Sequence, residues 1–147
     1  MKLRWDILKH YTLEIGIYLC AFLFVYAAVS KLLDFETFET QLGQSPLLSA
    51  YAKPIAIGVP LLELLISFFL VFKRSRRIAL YGFFAMMVMF TTYIVIILNF
   101  TDFVPCSCGG VLEALGWTEH LIFNVFFIGV AIIGILNERK AEHDYLK

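Results

Sequence analysis

Residues 78–100 read IALYGFFAMMVMFTTYIVIILNF and contain no charged side chain. A helix rises about 1.5 Å per residue, so this run is long enough to cross a hydrocarbon core about 30 Å thick. In lipid there is no water to satisfy backbone N–H and C=O groups, so a spanning run has to be a helix that satisfies its own. Three further runs meet the same test. One covers 11–33, with a charge-free centre at 15–29. A second covers 54–72 and carries one charge, Glu63. The last covers 119–137, where Asn124 is the strongly polar group of the central stretch. The expectation is an all-α membrane protein: a single domain over 1–147, built as a four-transmembrane-helix bundle.

Composition agrees with lipid as the solvent. The chain is 61% hydrophobic and 16% charged, against about 45–50% and about 25% for soluble domains. Its formal net charge is zero, which gives nucleic acid no electrostatic footing. Membrane lipid is the expected environment.

The distribution of charge predicts the orientation. Lys2, Arg4 and Lys9 precede the first helix. Lys73, Arg74, Arg76 and Arg77 read as the short loop between the second and third. Arg139, Lys140 and Lys147 follow the fourth. Lys31 and Lys53 flank the first outer loop, and the second, 101–118, has no basic residue. The positive-inside rule then places both termini in the cytoplasm. Basic residues before an apolar run also begin signal peptides, but Ala27-Ala-Val-Ser-Lys31 is not an A-x-A-like cleavage site, so the first run is read as a retained helix.

The outer side consists of two loops, 34–53 and 101–118. Within the second, 111–115 reads as one or two helical turns at the interface, ended by Gly116 and anchored at headgroup level by Trp117. Thr118 is the expected N-cap of the fourth helix, with Glu119 in its first turn.

The sharpest chemical feature is Cys106-Ser-Cys108-Gly-Gly. Two residues span at most about 7 Å, so a turn brings the two cysteines within disulfide range. The ring is small, and strained exposed disulfides tend to be the labile or catalytic kind. The glycines permit the tight backbone, and amide groups of the following helical turn would lower the pKa of a Cys108 thiolate. Spacing alone leaves redox exchange and a structural clip both open. A metal site using Cys106, Cys108 and His120 is disfavoured, because zinc takes four ligands, or three and water, and C-x-C is not its usual spacing.

Glu63 is the other candidate. An ionisable group inside the membrane costs at least about 2.5–3.5 kcal/mol and is a functional candidate by default. Pro60 lies on the same helix face, so Glu63 is expected to face the bundle interior. There it would either exchange protons with a bound redox partner or hydrogen-bond a Tyr, Thr or Asn on another helix. His120 shares the loop region with the thiols and reads as a helix-start residue or a proton carrier. Lys31 and Asp34, by residue type, read as a snorkelling lysine with a nearby acid. Gly16 and Cys20, four apart, suggest a close helix contact. Glu14, Asn99 and Asn124 are expected to make interhelical or interfacial polar contacts.

The run Tyr26-Ala-Ala-Val-Ser-Lys-Leu-Leu-Asp-Phe-Glu-Thr-Phe, followed by Ser45-Pro46, resembles the first-helix signature of the DoxX-like superfamily. Pro60-Leu-Leu-Glu63 is similar to its second-helix pattern. Pro105-Cys-Ser-Cys-Gly-Gly, followed by Gly116-Trp-Thr-Glu-His, resembles the methylamine utilisation protein MauE branch. The resemblance implies a four-helix protein of the bacterial inner membrane. It also implies a thioredoxin-like or exported thiol partner, with Cys106 and Cys108 as the thiols. A broader analogy is to quinone-linked four-helix thiol oxidoreductases such as the vitamin K epoxide reductase group. Those enzymes use C-x-x-C and commonly a second cysteine pair. This chain has C-x-C and no cysteine in its first outer loop, so exchange would be directly with a partner. The functional expectation is a membrane thiol–disulfide redox component acting through Cys106 and Cys108 and reoxidised by a membrane quinone, with Glu63 or His120 handling protons. A non-enzymatic scaffold or accessory subunit with a structural Cys106–Cys108 disulfide is the alternative. A small transporter built on Glu63 and Lys31 is the third reading, disfavoured by the lack of an internal repeat.

Overall fold

A computed structural model describes residues 2–100 and 116–145. Among the described residues five α-helices follow in order: α1 (Lys2–Leu33), α2 (Phe35–Gln44), α3 (Ala52–Val71), α4 (Arg76–Phe100) and α5 (Trp117–Tyr145), with a 3-10 turn at Ser49–Tyr51 before α3. Four stretches are long and apolar enough to cross a membrane: His10–Leu33, Ser49–Val71, Arg76–Phe100 and Thr118–Arg139. The outward-facing side chains of the bundle are apolar, among them Phe22, Phe68, Ile78 and Phe126. In water such a surface would aggregate; in hydrocarbon it is the solvated face.

The long helices run up and down around a ring in which α1 and α4 each pack against both α3 and α5. The core is made of Cys20, Phe24, Leu70, Leu80, Phe83, Phe127 and Ala131 with their neighbours. Phe83 stacks against Phe24 at 4.3 Å between ring centroids. Helices in lipid gain little from hydrophobicity and associate through close packing and polar contacts. Gly16 supplies the first: a Cβ there would stand 3.2 Å from Val130 Cγ1, tighter than ordinary contact, so glycine eases the approach of α1 to α5. Cys20, four residues on, is fully buried, as the small-residue spacing suggests. Ser67 supplies the second: its hydroxyl donates 2.8 Å to the Ala21 carbonyl and ties α3 to α1.

At the end of the bundle that carries the start of α1 and the end of α5, the connection from α3 to α4 is a turn at 72–75. Ser75 Oγ donates to the Phe69 carbonyl, and the Ser75 carbonyl accepts from the Ala79 amide. Arg76 corrects the charge reading. It does not sit in the loop with Lys73 and Arg74 but opens α4, 1% exposed. Its Nη1 donates 2.7 Å to Glu14 Oε1 of α1, Nε donates to the Leu70 carbonyl of α3, and Glu138 Oε1 of α5 stands 3.7 Å away. One guanidinium therefore joins all four long helices, a task its planar fork of donors suits better than an ammonium. Glu14 takes the interhelical role expected of it.

At the other end, the segment read as a plain loop contains α2. Phe38 and Leu42 of α2 are buried against Ala56 of α3, with Phe35 and Ile55 beside them. Glu36 and Thr40 face outward, as a short amphipathic helix requires. Another difference concerns the start of α5. It begins at Trp117, and the Gly116 carbonyl already accepts the His120 amide at 3.0 Å. Gly116 rather than Thr118 is thus the flanking residue, while Glu119 is in the first turn as expected. The stretch 111–115 lies outside the described residues.

Candidate functional site

The site is built between the end of α1 and the middle of α3. Lys31 is two residues from the end of α1, and Glu63 is in the middle of α3. Lys31 Nζ stands 2.7 Å from Glu63 Oε1 and 3.0 Å from Oε2. Its remaining proton goes to the Ala27 carbonyl at 3.3 Å. This corrects the snorkelling reading of Lys31, and it replaces the Tyr, Thr or Asn partner expected for Glu63. The physical reason lies in the direction of Cα–Cβ bonds, which tilt toward the helix N-terminus. At the end of α1 that direction leads back into the bundle. In the antiparallel α3 it leads Glu63 the opposite way, so the two side chains converge.

Burial sets the character of the pair. The Glu63 side chain is 1% exposed and that of Lys31 14%. A charge withdrawn to this depth is costly unless a partner replaces the lost hydration, which each member of the pair does for the other. The rings of Phe38 and Phe90 stand 5.9 and 5.7 Å from Lys31 Nζ and cover it with their π-faces. Pro60, expected on the same face as Glu63, is buried with it, and α3 continues unbroken past it.

Beside the pair is a cavity of about 310 Å³, lined by residues of α1, α2, α3, α4 and α5. Its walls are mainly apolar and aromatic: Leu23, Phe24, Phe38, Phe90 and Phe123. Set into them are Lys31, Glu63, Gln41, Tyr93, His120 and Asn124. Tyr93 of α4 donates its hydroxyl to Ser45 Oγ at 3.0 Å, which fixes the turn after α2 to the bundle. Gln41 Oε1 is buried and has no hydrogen-bond partner among the described residues. Asn124 is buried and faces this cavity, in keeping with an interior polar role; Asn99 instead donates to the Val95 carbonyl of its own helix.

Of the four residues expected to carry chemistry, Glu63 and His120 reach the walls of one cavity, and Lys31 and Asn124 line it beside them. Cys106 and Cys108 lie outside the described residues; their segment, 101–115, joins the end of α4 to the start of α5. The family model for methylamine utilisation protein MauE matches residues 9–137. The chain belongs to the MauE family. The match takes in all four spanning helices and the segment with the C-x-C. Comparison with curated proteins and with solved structures gives no significant match.

For this MauE-family chain, sequence reasoning missed Gln41, Tyr93 and the role of Lys31. Phe35, Phe38 and Leu42 recur at helical spacing, and that signal would have revealed α2 and the inward side of Gln41. The pairing of Lys31 with Glu63, across two helices, leaves no local trace.

Proposed function

We propose that this MauE-family membrane protein is a thiol–disulfide redox component working at the outer face of the inner membrane through Cys106 and Cys108. The positive-inside rule supports the orientation: the end bearing Arg4, Lys73, Arg74 and Arg139 is cytoplasmic, and α2 with the cavity is outward. The observation that carries the proposal is one of connectivity. The segment holding both cysteines leads directly into the turn of α5 that presents His120 to the cavity beside Glu63. This connectivity supports a link between the thiols and the largely apolar cavity in which Lys31, Glu63 and His120 are set.

The reaction is a thiol exchange. A thiolate of an exported or thioredoxin-like partner attacks one sulfur of the Cys106–Cys108 disulfide, with Cys108 preferred for its neighbouring glycines. The S–S bond breaks and the leaving thiolate takes up a proton. The partner's second thiol then displaces the mixed disulfide, leaving the partner oxidised and the pair as a dithiol. The dithiol returns to the disulfide by giving two electrons and two protons to a membrane quinone.

Exchange with a reduced protein thiol, measured in nanodiscs for Cys106→Ser and Cys108→Ser separately, tests this. Each variant is expected to lose turnover, because a single remaining cysteine cannot form the disulfide that the reduced thiol exchanges with. Undiminished function in both variants would leave the C-x-C a dispensable clip.

A further inference from the structure

We propose that the cavity between α1, α2, α3, α4 and α5 is the binding site for the head group of an isoprenoid quinone or its quinol. This deepens the redox reading and rests on it for the direction of electron flow, although every residue of the site lies outside 101–115. At about 310 Å³ the cavity is at the lower end of small-ligand sites, a size suited to one substituted ring. Phe24, Phe38, Phe90 and Phe123 give it aromatic faces, which favour a flat ring over a flexible chain.

The polar groups select the chemistry. Among the described residues Gln41 Oε1 is a buried acceptor with no donor, a state that a ligand hydroxyl would relieve. Lys31 holds its third partner, the Ala27 carbonyl, at 3.3 Å. That is the longest of its contacts, and a ligand carbonyl can replace it. An acyl chain satisfies neither group. A fatty-acid carboxylate is disfavoured because Glu63 already neutralises Lys31, and a second anion would face a pair with no net charge. A neutral ring meets these groups in turn: its carbonyl, when oxidised, accepts from Lys31, and its hydroxyl, when reduced, donates to Gln41 Oε1. In each turnover the ring gains the two electrons and two protons that the Cys106–Cys108 dithiol loses, and the Lys31–Glu63 pair is positioned to hold a proton next to a ring oxygen.

The test is photolabelling by a short-chain azidoquinone in nanodiscs, with peptide mapping, on the wild type and on Cys106→Ser/Cys108→Ser. The expected result is saturable labelling of α1 and α4 in both proteins, displaced by short-chain ubiquinone but not by oleate. Ala27→Phe, which fills the cavity, is expected to weaken labelling by about tenfold or more. Gln41→Leu, which removes one hydrogen-bond partner, is expected to weaken quinol competition about two- to tenfold, and it decides the matter if Ala27→Phe does not fold. No saturable labelling of the wild type, displacement by oleate as readily as by ubiquinone, or full labelling of folded Ala27→Phe would overturn the site. Thiol exchange without quinone labelling overturns this site and leaves the redox reading standing. Labelling without thiol exchange overturns the redox reading and leaves the site.

Discussion

Lys31 Nζ lies 2.7 Å from Glu63 Oε1, joining two helices through a contact that is almost wholly withdrawn from solvent. Each charge depends on the other. Lys31→Met or Glu63→Leu alone strands its partner, and each is expected to destabilise the bundle by about 3–5 kcal/mol. The double variant should recover most of that loss, since two well-packed apolar residues replace a matched pair. A double-mutant cycle from unfolding in detergent checks this; additive single effects would show that the pair is not coupled.

The second buried cation leads to a prediction about shape rather than charge. Arg76 reaches Glu14, Leu70 and the neighbourhood of Glu138 from one side chain. Arg76→Lys keeps the charge but lacks the fork of donors. It should lower stability by about 1–3 kcal/mol, with a clear drop in Tm. An unchanged Tm would mean that the charge alone suffices.

Two glycines should behave in opposite ways. A Cβ at Gly16 would meet Val130 Cγ1 at 3.2 Å, whereas at Gly58 nothing lies within 4 Å. Gly16→Leu is therefore expected to push α1 off α5 at a cost of about 1–3 kcal/mol. Gly58→Ala should stabilise α3 by up to about 1 kcal/mol, the helix-propensity difference. Thermal unfolding of both variants is the check, and a destabilised Gly58→Ala would point to a contact at that face.

The proposed orientation predicts thiol accessibility. In intact spheroplasts treated with reductant, a membrane-impermeant maleimide should label Cys106 and Cys108. Cys20 is fully buried and should react only after denaturation, so Cys106→Ser/Cys108→Ser should remain unlabelled. Labelling of Cys106 and Cys108 only after the membrane is opened would reverse the topology.

The four spanning helices were legible because lipid solvation writes itself into hydropathy: the uncharged 78–100 run can hardly be anything else. Charge was legible only in bulk. Arg76 was counted with the loop because a hydropathy profile assigns an arginine at a helix boundary to the interface, while its real environment is set by Glu14, 62 positions away. Lys31 was misread in the same manner, since snorkelling toward the surface requires a side chain to lean against the tilt of its own Cα–Cβ bond. Glu63 could be placed inside the bundle from its depth and from Pro60, but its partner could not, because helix register is a tertiary property. The cavity, formed by five helices, has no signature in any one of them. The C-x-C was visible at once, as a motif written in adjacent residues.

The central claim is that Cys106 and Cys108 form an exchangeable disulfide. Its most direct test is the midpoint potential of the pair in nanodiscs, obtained by equilibration in thiol buffers and mass-tag trapping. The account predicts a value between about −120 and −270 mV, the range of dithiol catalysts. A value below about −300 mV, where structural disulfides lie, or a pair that never closes, would contradict it.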